Sequence, residues 1–403
     1  MDEDPRDYLR RTAAAFETLA PPPPAPHDWR WRAERTLADL LGRATVVDYG
    51  DLYVMPYVDG QYPDSMVQLM LIVALRDYAR ATGVPIPLEG QLRKGLGRFF
   101  DPEVGTIRRY LPSVGREKDW NAVDSWYLYH PLSNLARLAL DGEGEARNLL
   151  IDSVEYGVRA ARHFGYQWPV MYDIRDLSVK VQALDAGRPG ETDCGGLYAY
   201  LMTQVHALTG EERWLEEARP ALRAADGRGR SLMYQINLTA WGAAACLRLW
   251  KLGGEGEWLD RAYYWLANLF HHCDFRARFA GPVPCFMAAT CMYNSDYIAP
   301  FEDHEVFMAL REVLALGSEA LDPAARVLAE GFCRHAADRA WTFYPDMLPP
   351  EMLAAKQESG RIDRALSFPL EDIYPDGRKA GRVGQEIYGA GAAFLYAAHP
   401  LPG

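Results

Sequence analysis

Four consecutive positions, Glu302, Asp303, His304 and Glu305, place three carboxylates and an imidazole in the segment APFEDHE. Like charges at that spacing raise one another's pKa, and one acid can then stay protonated near neutrality, as a general acid must. The segment follows MYNSDYIAP, an aromatic and polar run that supplies Tyr293, Asn294, Asp296 and Tyr297. A second constellation centres on Asp124 in WNAVDSWYLYHP, where Trp120, Trp126, Tyr127, Tyr129 and His130 surround one acid. Flat rings stack on the C–H faces of pyranoses while their polar tips hydrogen-bond, so aromatics beside an acid suit a sugar site. Asp64 in DGQYPDS, Asp193 in ETDCGG and Glu386 in GQEIYGAG are further acids of the same kind.

Cleaving a glycosidic bond requires two carboxylates flanking it, one as acid and the other as base or nucleophile. Asp124 and one carboxylate of the 302–305 cluster are the favoured pair, with Asp64, Asp193, Glu386 and His304 as the remaining catalytic candidates. Substrate-binding candidates are Trp120, Trp126, Tyr127, His130, Tyr293, Asn294 and Tyr297. A competing chemistry is β-elimination on a uronate. Tyr297 or His304 would take the proton, and Asn294 or a loop cation would stabilise the developing charge. The loop cations are Arg108, Arg109, Arg175, Lys180, Arg276 and Arg278, all interleaved with acids that could pair with them. A sugar 2-epimerase would need paired histidines, for which His130, His206 and His304 are available. A ring that binds a glycan or a protein without turnover is the non-catalytic alternative. Against each acid stands a plainer role, because Asp is a preferred helix N-cap and both acids suit the first helical turn. Gly195 and Gly196, next to Asp193, allow close approach by either a ligand or another helix.

These residues need a scaffold, and a repeat in the chain predicts one. An apolar helix ends, a short turn of Gly and acid follows, and an amphipathic helix begins. The instances are ALRDYARATGVPIPLEGQL, LARLALDGEGEARNLL, QVHALTGEERWLEEA, LRLWKLGGEGEWLDRA and EVLALGSEALDPAARVL. Glycine at each turn is expected to supply a left-handed C-cap. Helices before the turns, at 64–81, 124–140, 193–208, 237–252, 303–316 and 386–397, are apolar almost all round. Those after, such as 212–224 and 257–271, carry one apolar stripe. A helix apolar on all sides must be surrounded, whereas a one-sided helix sits outside. With 28–41 and 323–341 added, the pattern predicts six inner and six outer helices. The outer-to-inner connections at 42–63, 101–123, 165–192, 226–236, 274–302 and 342–385 are long, and in such a ring they share one face. Long connections in a compact domain carry function more often than the short ones do.

The hairpin repeat, turns such as LTGEERWLEEA, and polar residues opening each inner helix resemble the six-hairpin, (α/α)6-toroid superfamily. That superfamily includes glycoside hydrolases, polysaccharide lyases and sugar 2-epimerases. The resemblance spans roughly residues 28 to 398 and is one of architecture, not of a diagnostic motif. It implies an oligosaccharide or polysaccharide substrate in a crevice on the loop face, acid–base chemistry by carboxylates, and no cofactor.

Bulk properties exclude other classes. The chain has 403 residues and a formal net charge of −12, which argues against nucleic acid, whose phosphates demand clustered cations. No apolar stretch is long enough for a membrane span. The start MDEDPRDYLRR lacks the basic and apolar regions of a signal peptide, so cytoplasmic residence is expected unless a signal was trimmed. Six cysteines, Cys194, Cys246, Cys273, Cys285, Cys291 and Cys333, form no metal-binding spacing and read as buried thiols. His271, His272 and Cys273 are adjacent and cannot easily converge on one ion, so no metal is expected. No phosphate loop, G-x-S-x-G elbow or H-E-x-x-H motif occurs. Residues 1–27 read as an N-terminal helix (5–19) plus a stiff spacer at Pro21–Pro24, and 28–403 as the catalytic ring.

Overall fold

The computed structural model describes residues 3–19, 23, 25–42, 45–55, 62–111, 119–184, 189–275, 278–280, 283–293, 295–356, 361–374, 376, 378, 385 and 387–399. Its helices run in order α1 (Pro5–Glu17), α2 (Trp29–Leu40), α3 (Ser65–Thr82), α4 (Pro87–Lys94), α5 (Ser125–Leu140), α6 (Gly144–His163) and α7 (Cys194–Thr209). They continue with α8 (Arg213–Arg223), α9 (Ile236–Gly253), α10 (Gly256–His271), α11 (Pro300–Leu316), α12 (Pro323–Trp341) and α13 (Gly391–Ala398). Odd-numbered helices from α3 onward form an inner ring: α3 packs on α5, α5 on α7, α7 on α9 and α9 on α11, while α13 joins α11 to α3. Each has an outer partner, and the pairs are α13 with α2, α3 with α4, α5 with α6, α7 with α8, α9 with α10 and α11 with α12. The all-α double ring anticipated from the repeat is the observed fold.

Burial explains the two layers. In α7 every residue from 194 to 205 is buried, whereas α8 buries Trp214, Leu215, Ala218, Ala221 and Leu222 and turns its arginines outward. Inner helices approach closely where glycines meet. A Cβ on Gly196 would lie 2.8 Å from the Cα of Gly242, and one on Gly242 would lie 2.2 Å from the Trp265 ring. Gly195 faces the carbonyl of Ala221 and the Trp168 ring, so both glycines beside Asp193 serve helix packing.

Four of the five repeat turns use a left-handed glycine, at Gly83, Gly142, Gly210 and Gly254, with φ between 70° and 91°. The fifth departs from the expectation. Gly317 has φ −93°, and its Cβ would strike Leu321 at 2.5 Å, so glycine is needed there for space. A second departure is the start of α11, which begins at Pro300 and not at residue 303. Proline suits the first helical position because its φ is already helical and no N–H is needed there. The N-terminal helix α1, which precedes the proline run, packs against the outer layer. It docks on α10 and α12 through Arg6–Asp260 (2.6 Å), Arg10–Asp322 (2.7 Å) and the Tyr8 hydroxyl 3.3 Å from His271 Nδ1.

Neighbouring long connections are stitched together by short strands and bridges. Asp64 bridges Tyr110, Ala122–Asp124 pairs with Met171–Asp173, Gln235 bridges Met292, and Ile298 bridges Ile373. Thr192 donates to the Leu232 carbonyl at 2.6 Å, joining the connections before α7 and α9. A belt of consecutive contacts follows, and the connections gather at one rim over the N-terminal ends of the inner helices.

Candidate functional site

At the rim, acids that occupy equivalent positions in the repeat do different things. Asp64 caps its own helix: Oδ1 accepts from the Met66 amide at 2.9 Å, and Oδ2 accepts from Arg109 Nε at 2.9 Å. Asp193 stands at the N-cap position of α7 yet makes no cap bond there. Its Oδ2 instead accepts from the amides of Tyr234 and Gln235, both at 3.0 Å, and from the Thr239 hydroxyl at 2.6 Å, so it ties α7 to the segment that leads into α9. Burial raises its carboxyl to about 7, against the opposing pull of the Thr239 bond.

Asp124 is placed at the end of the strand Ala122–Asp124, opposite Met171, and opens α5 without capping it. Glu191 takes that duty, its Oε2 accepting from the Trp126 amide at 3.0 Å. The Asp124 carboxylate is therefore left free of its helix, with a side chain 21% exposed and Arg109 at 3.5 Å. Burial raises its pKa while Arg109 opposes the shift. The Arg109 guanidinium also lies over the Tyr127 ring, 3.5 Å from the centroid. Trp120 packs edge-on against Tyr62 (5.9 Å) and Tyr110 (6.1 Å), and Trp126 lies 4.4 Å from Tyr127. Tyr293 sits 5.4 Å from Tyr234, and Tyr297 sits 5.7 Å from Tyr374.

The helical start at Pro300 disperses the acidic cluster, because successive residues on a helix point about 100° apart. Glu302 turns to the rim, where Oε1 accepts from the Tyr388 hydroxyl at 2.8 Å and from Gln235 Nε2 at 3.3 Å. Its Oε2 is buried with no hydrogen-bond partner among the described residues, and the Cys291 thiol stands beside the carboxyl. Burial raises Glu302 to about 7, against the Tyr388 bond. Asp303 turns outward to α12 and is held by Arg339 at 2.9 Å in a buried pair that also engages the Phe286 carbonyl. His304 and Glu305 turn into the bore of the ring. Glu305 Oε1 lies 2.9 Å from His130 Nε2, and its Oε2 accepts from Asn237 Nδ2 at 2.9 Å. Burial alone would raise Glu305, but His130 and Asn237 hold it at about 2. Burial lowers His304 to about 4.

Of the sequence candidates, Asp64, Asp124, Glu302 and the aromatics named above lie at the rim, and Asp193 is buried just behind it. His130, His304 and Glu305 face the bore, Asp303 faces α12, and Asn294 and Glu386 fall outside the described residues. Sequence reasoning missed Glu191, Gln235, Asn237 and Tyr388. Tyr388 had a signal, an aromatic opening the last inner segment beside Glu386. Glu191 had none, since its role depends on α5, which is distant in sequence. The loop cations are largely paired: Arg108 with Asp101 (2.6 Å), Arg175 with Asp173 (3.1 Å), and Lys180 with Asp173 (3.3 Å). Arg276 lies outside the described residues, as does the side chain of Arg278. Cys194, Cys246, Cys273, Cys291 and Cys333 are free and buried. No group of three or more metal-binding side chains converges among the described residues, and no helix there is long and apolar enough to cross a membrane.

No protein-family profile matches the sequence, and no curated protein does either. Solved structures do match. A D-mannose isomerase aligns with TM-score 0.58 and 11% identity over 92% of this chain and 96% of the other. Cellobiose 2-epimerase from Bacillus thermoamylovorans B4167 aligns with TM-score 0.60 and 7% identity over 92% and 98%. A glycoside hydrolase family 76 mannosidase from Bacteroides thetaiotaomicron VPI-5482 aligns with TM-score 0.56 and 13% identity over 92% and 97%. At these identities the likeness is one of fold, and the chain is an (α/α)6 toroid.

Proposed function

We propose that the chain is a carbohydrate-active enzyme, a glycoside hydrolase that cleaves an oligosaccharide at the loop rim. Glu302 is the general acid and Asp124 its carboxylate partner. The observation that carries this reading is Glu302 itself: buried, one oxygen held by Tyr388 and Gln235, the other unpartnered among the described residues, and titrating at about 7. A departing sugar oxygen needs a proton, and a carboxyl that keeps its proton at neutral pH can donate it. With two donors on Oε1, the proton belongs on Oε2. Asp124 complements it, because the nearby Arg109 favours its ionised form and part of the side chain stays exposed. Trp120, Tyr127 and Tyr293 offer ring faces for the sugar, with Trp126 and Tyr297 behind them. The fold supports the reading too, since it is shared with sugar isomerases, epimerases and a mannosidase.

The bore histidines support proton shuttling less well. His304 at about 4 and Glu305 at about 2 do not change charge near neutrality. A panel of mannose- and glucose-containing oligosaccharides and uronate-containing glycans tests the reading. New reducing ends without absorbance from unsaturated uronate, and without C2 epimers by NMR, are expected. Turnover should fall as pH rises through about 7. Glu302→Gln and Asp124→Asn should each lower it by roughly 10²–10⁴-fold. Wild-type rates in both variants, or epimers or unsaturated products in place of new ends, would sink the assignment.

A further inference from the structure

Below the rim the bore contains a cavity of about 410 Å³, closed at its inner end by His130, His304 and Glu305. It reaches toward the short-turn end of the ring, where Leu140 and Asp141 at the C-terminus of α5 line it. None of Asp64, Asp124, Asp193 or Glu302 contributes to its wall. Its volume falls within the roughly 300–1,000 Å³ span of small-molecule sites, near the lower end.

Three features of the lining point to a ligand class. The first is an aromatic wall: Trp241 is only half-buried, and its ring lies 4.4 Å from Tyr200, which leaves an indole surface on the cavity side. The second is an uncommitted cation. Of the three arginines in the wall, Arg137 is paired with Asp77, and Arg248 with Glu312. Arg311 is half-buried with no hydrogen bond or ion pair among the described residues, and its guanidinium lies 5.5 Å from the Phe307 ring. A guanidinium withdrawn from water without a counterion favours binding of an anion, and its fork matches a carboxylate or phosphate. The third is the presence of carboxylates, Glu305, Glu312 and Asp141, on the same wall. They would repel a polyanion but accept hydrogen bonds from hydroxyls.

We infer that this cavity is a second ligand site, separate from the rim, which takes a monosaccharide bearing one anionic group. The hexose ring lies against Trp241, its hydroxyls meet the wall carboxylates, and its carboxylate or phosphate meets Arg311. The site stands whether or not the rim hydrolyses glycans.

Calorimetric titration of the full chain with glucuronate, glucose 6-phosphate, glucose and inorganic phosphate tests it. Glucuronate or glucose 6-phosphate, and whichever of the two binds identifies the anionic group, should bind at least about tenfold more tightly than glucose or phosphate alone. Arg311→Met should abolish that preference, Arg311→Lys should retain part of it, and Trp241→Ala should weaken all hexoses together. Circular dichroism and Tm verify folding of each variant, and rim turnover in Arg311→Met should stay within about twofold of wild type. Equal affinity for phosphate and the anionic hexoses, binding unchanged in folded Arg311→Met, or no binding by wild type would each overturn the inference.

Discussion

The rim and the bore of this ring handle buried charge in opposite ways. In the bore and toward the outer layer, acids are matched: buried Glu305 by His130 and Asn237, buried Asp303 by Arg339, and half-buried Glu312 by Arg248 and Tyr200. At the rim, Asp64 and Asp124 share Arg109, but Glu302, Asp193 and Glu191 are buried among neutral donors with no cation bonded to them among the described residues. The result is two populations of carboxyl. Glu305 lies at about 2, whereas Glu302 and Asp193 lie at about 7 and Glu191 is raised well above its ordinary value. Glu305, matched by His130, is held low, and burial raises Asp303 against the pull of Arg339, whereas Glu302 and Asp193 reach about 7. Reserves of transferable protons suit a catalytic end, and the rim sets them beside Asp124, the carboxylate that Arg109 faces.

The largest effect should come from breaking a match. Arg339→Met leaves Asp303 buried without its partner, and unfolding free energy should drop by about 3–5 kcal/mol. His130→Ala should cost a similar amount through Glu305, and denaturant titrations of both variants measure the losses. A cost near zero for either would mean that the pairs are incidental and that the division between the two regions is wrong.

Titration sharpens the contrast next. Glu302 rises from 4.5 to about 7 in the folded chain, so its contribution to stability is complete below pH 4.5 and is lost as pH rises through 7. Glu305 falls from 4.5 to about 2, so its contribution is complete above pH 4.5 and is lost as pH falls through 2. Glu302→Gln should therefore remove a falling limb of up to about 1.4 kcal/mol per pH unit between pH 4.5 and 7. Asp193 keeps a second limb in the same direction. Stability of Glu302→Gln relative to wild type, followed by Tm from pH 5 to 8, should increase with pH. A flat difference would place Glu302 among the ordinary ionised carboxylates.

Much of the scaffold was legible in the sequence because its signals are local. Gly83, Gly142, Gly210 and Gly254 mark turns with a backbone geometry that other residues resist, and all-round apolar segments can only be encircled. Connection length then put the elaborate loops on one rim. What stayed hidden depends on direction and on distant partners. Pro300 starts α11 early, and that shift sends Glu302, Asp303 and Glu305 to three different neighbours, so a cluster in sequence is no cluster in space. Asp303 reads as a catalytic candidate until Arg339, on the next helix, is seen to bind it. Asp64, Asp124 and Asp193 all stand before inner helices and look alike, yet only Asp64 caps its own.

The smallest expected effect is the most discriminating. Glu191 caps α5 in place of Asp124, and burial, with Asp124 and Asp193 nearby, raises its pKa well above the ordinary carboxylate value. A neutral Glu191 accepts from the Trp126 amide through one oxygen, and a glutamine carbonyl can do the same. Glu191→Gln should thus change stability by no more than about 0.5 kcal/mol at pH 7, while Glu191→Ala should lose about 1 kcal/mol as a deleted cap. If Glu191 were ionised, the amide would remove a charge-assisted bond and cost about 1.5–3 kcal/mol. Removing that charge would also lower the pKa of Asp124, which NMR titration of the Asp124 carboxyl would report as a shift in Glu191→Gln. An unshifted Asp124 with stability preserved establishes that the rim keeps its second carboxyl neutral, leaving Asp124 and Arg109 as the ionised pair that faces the sugar.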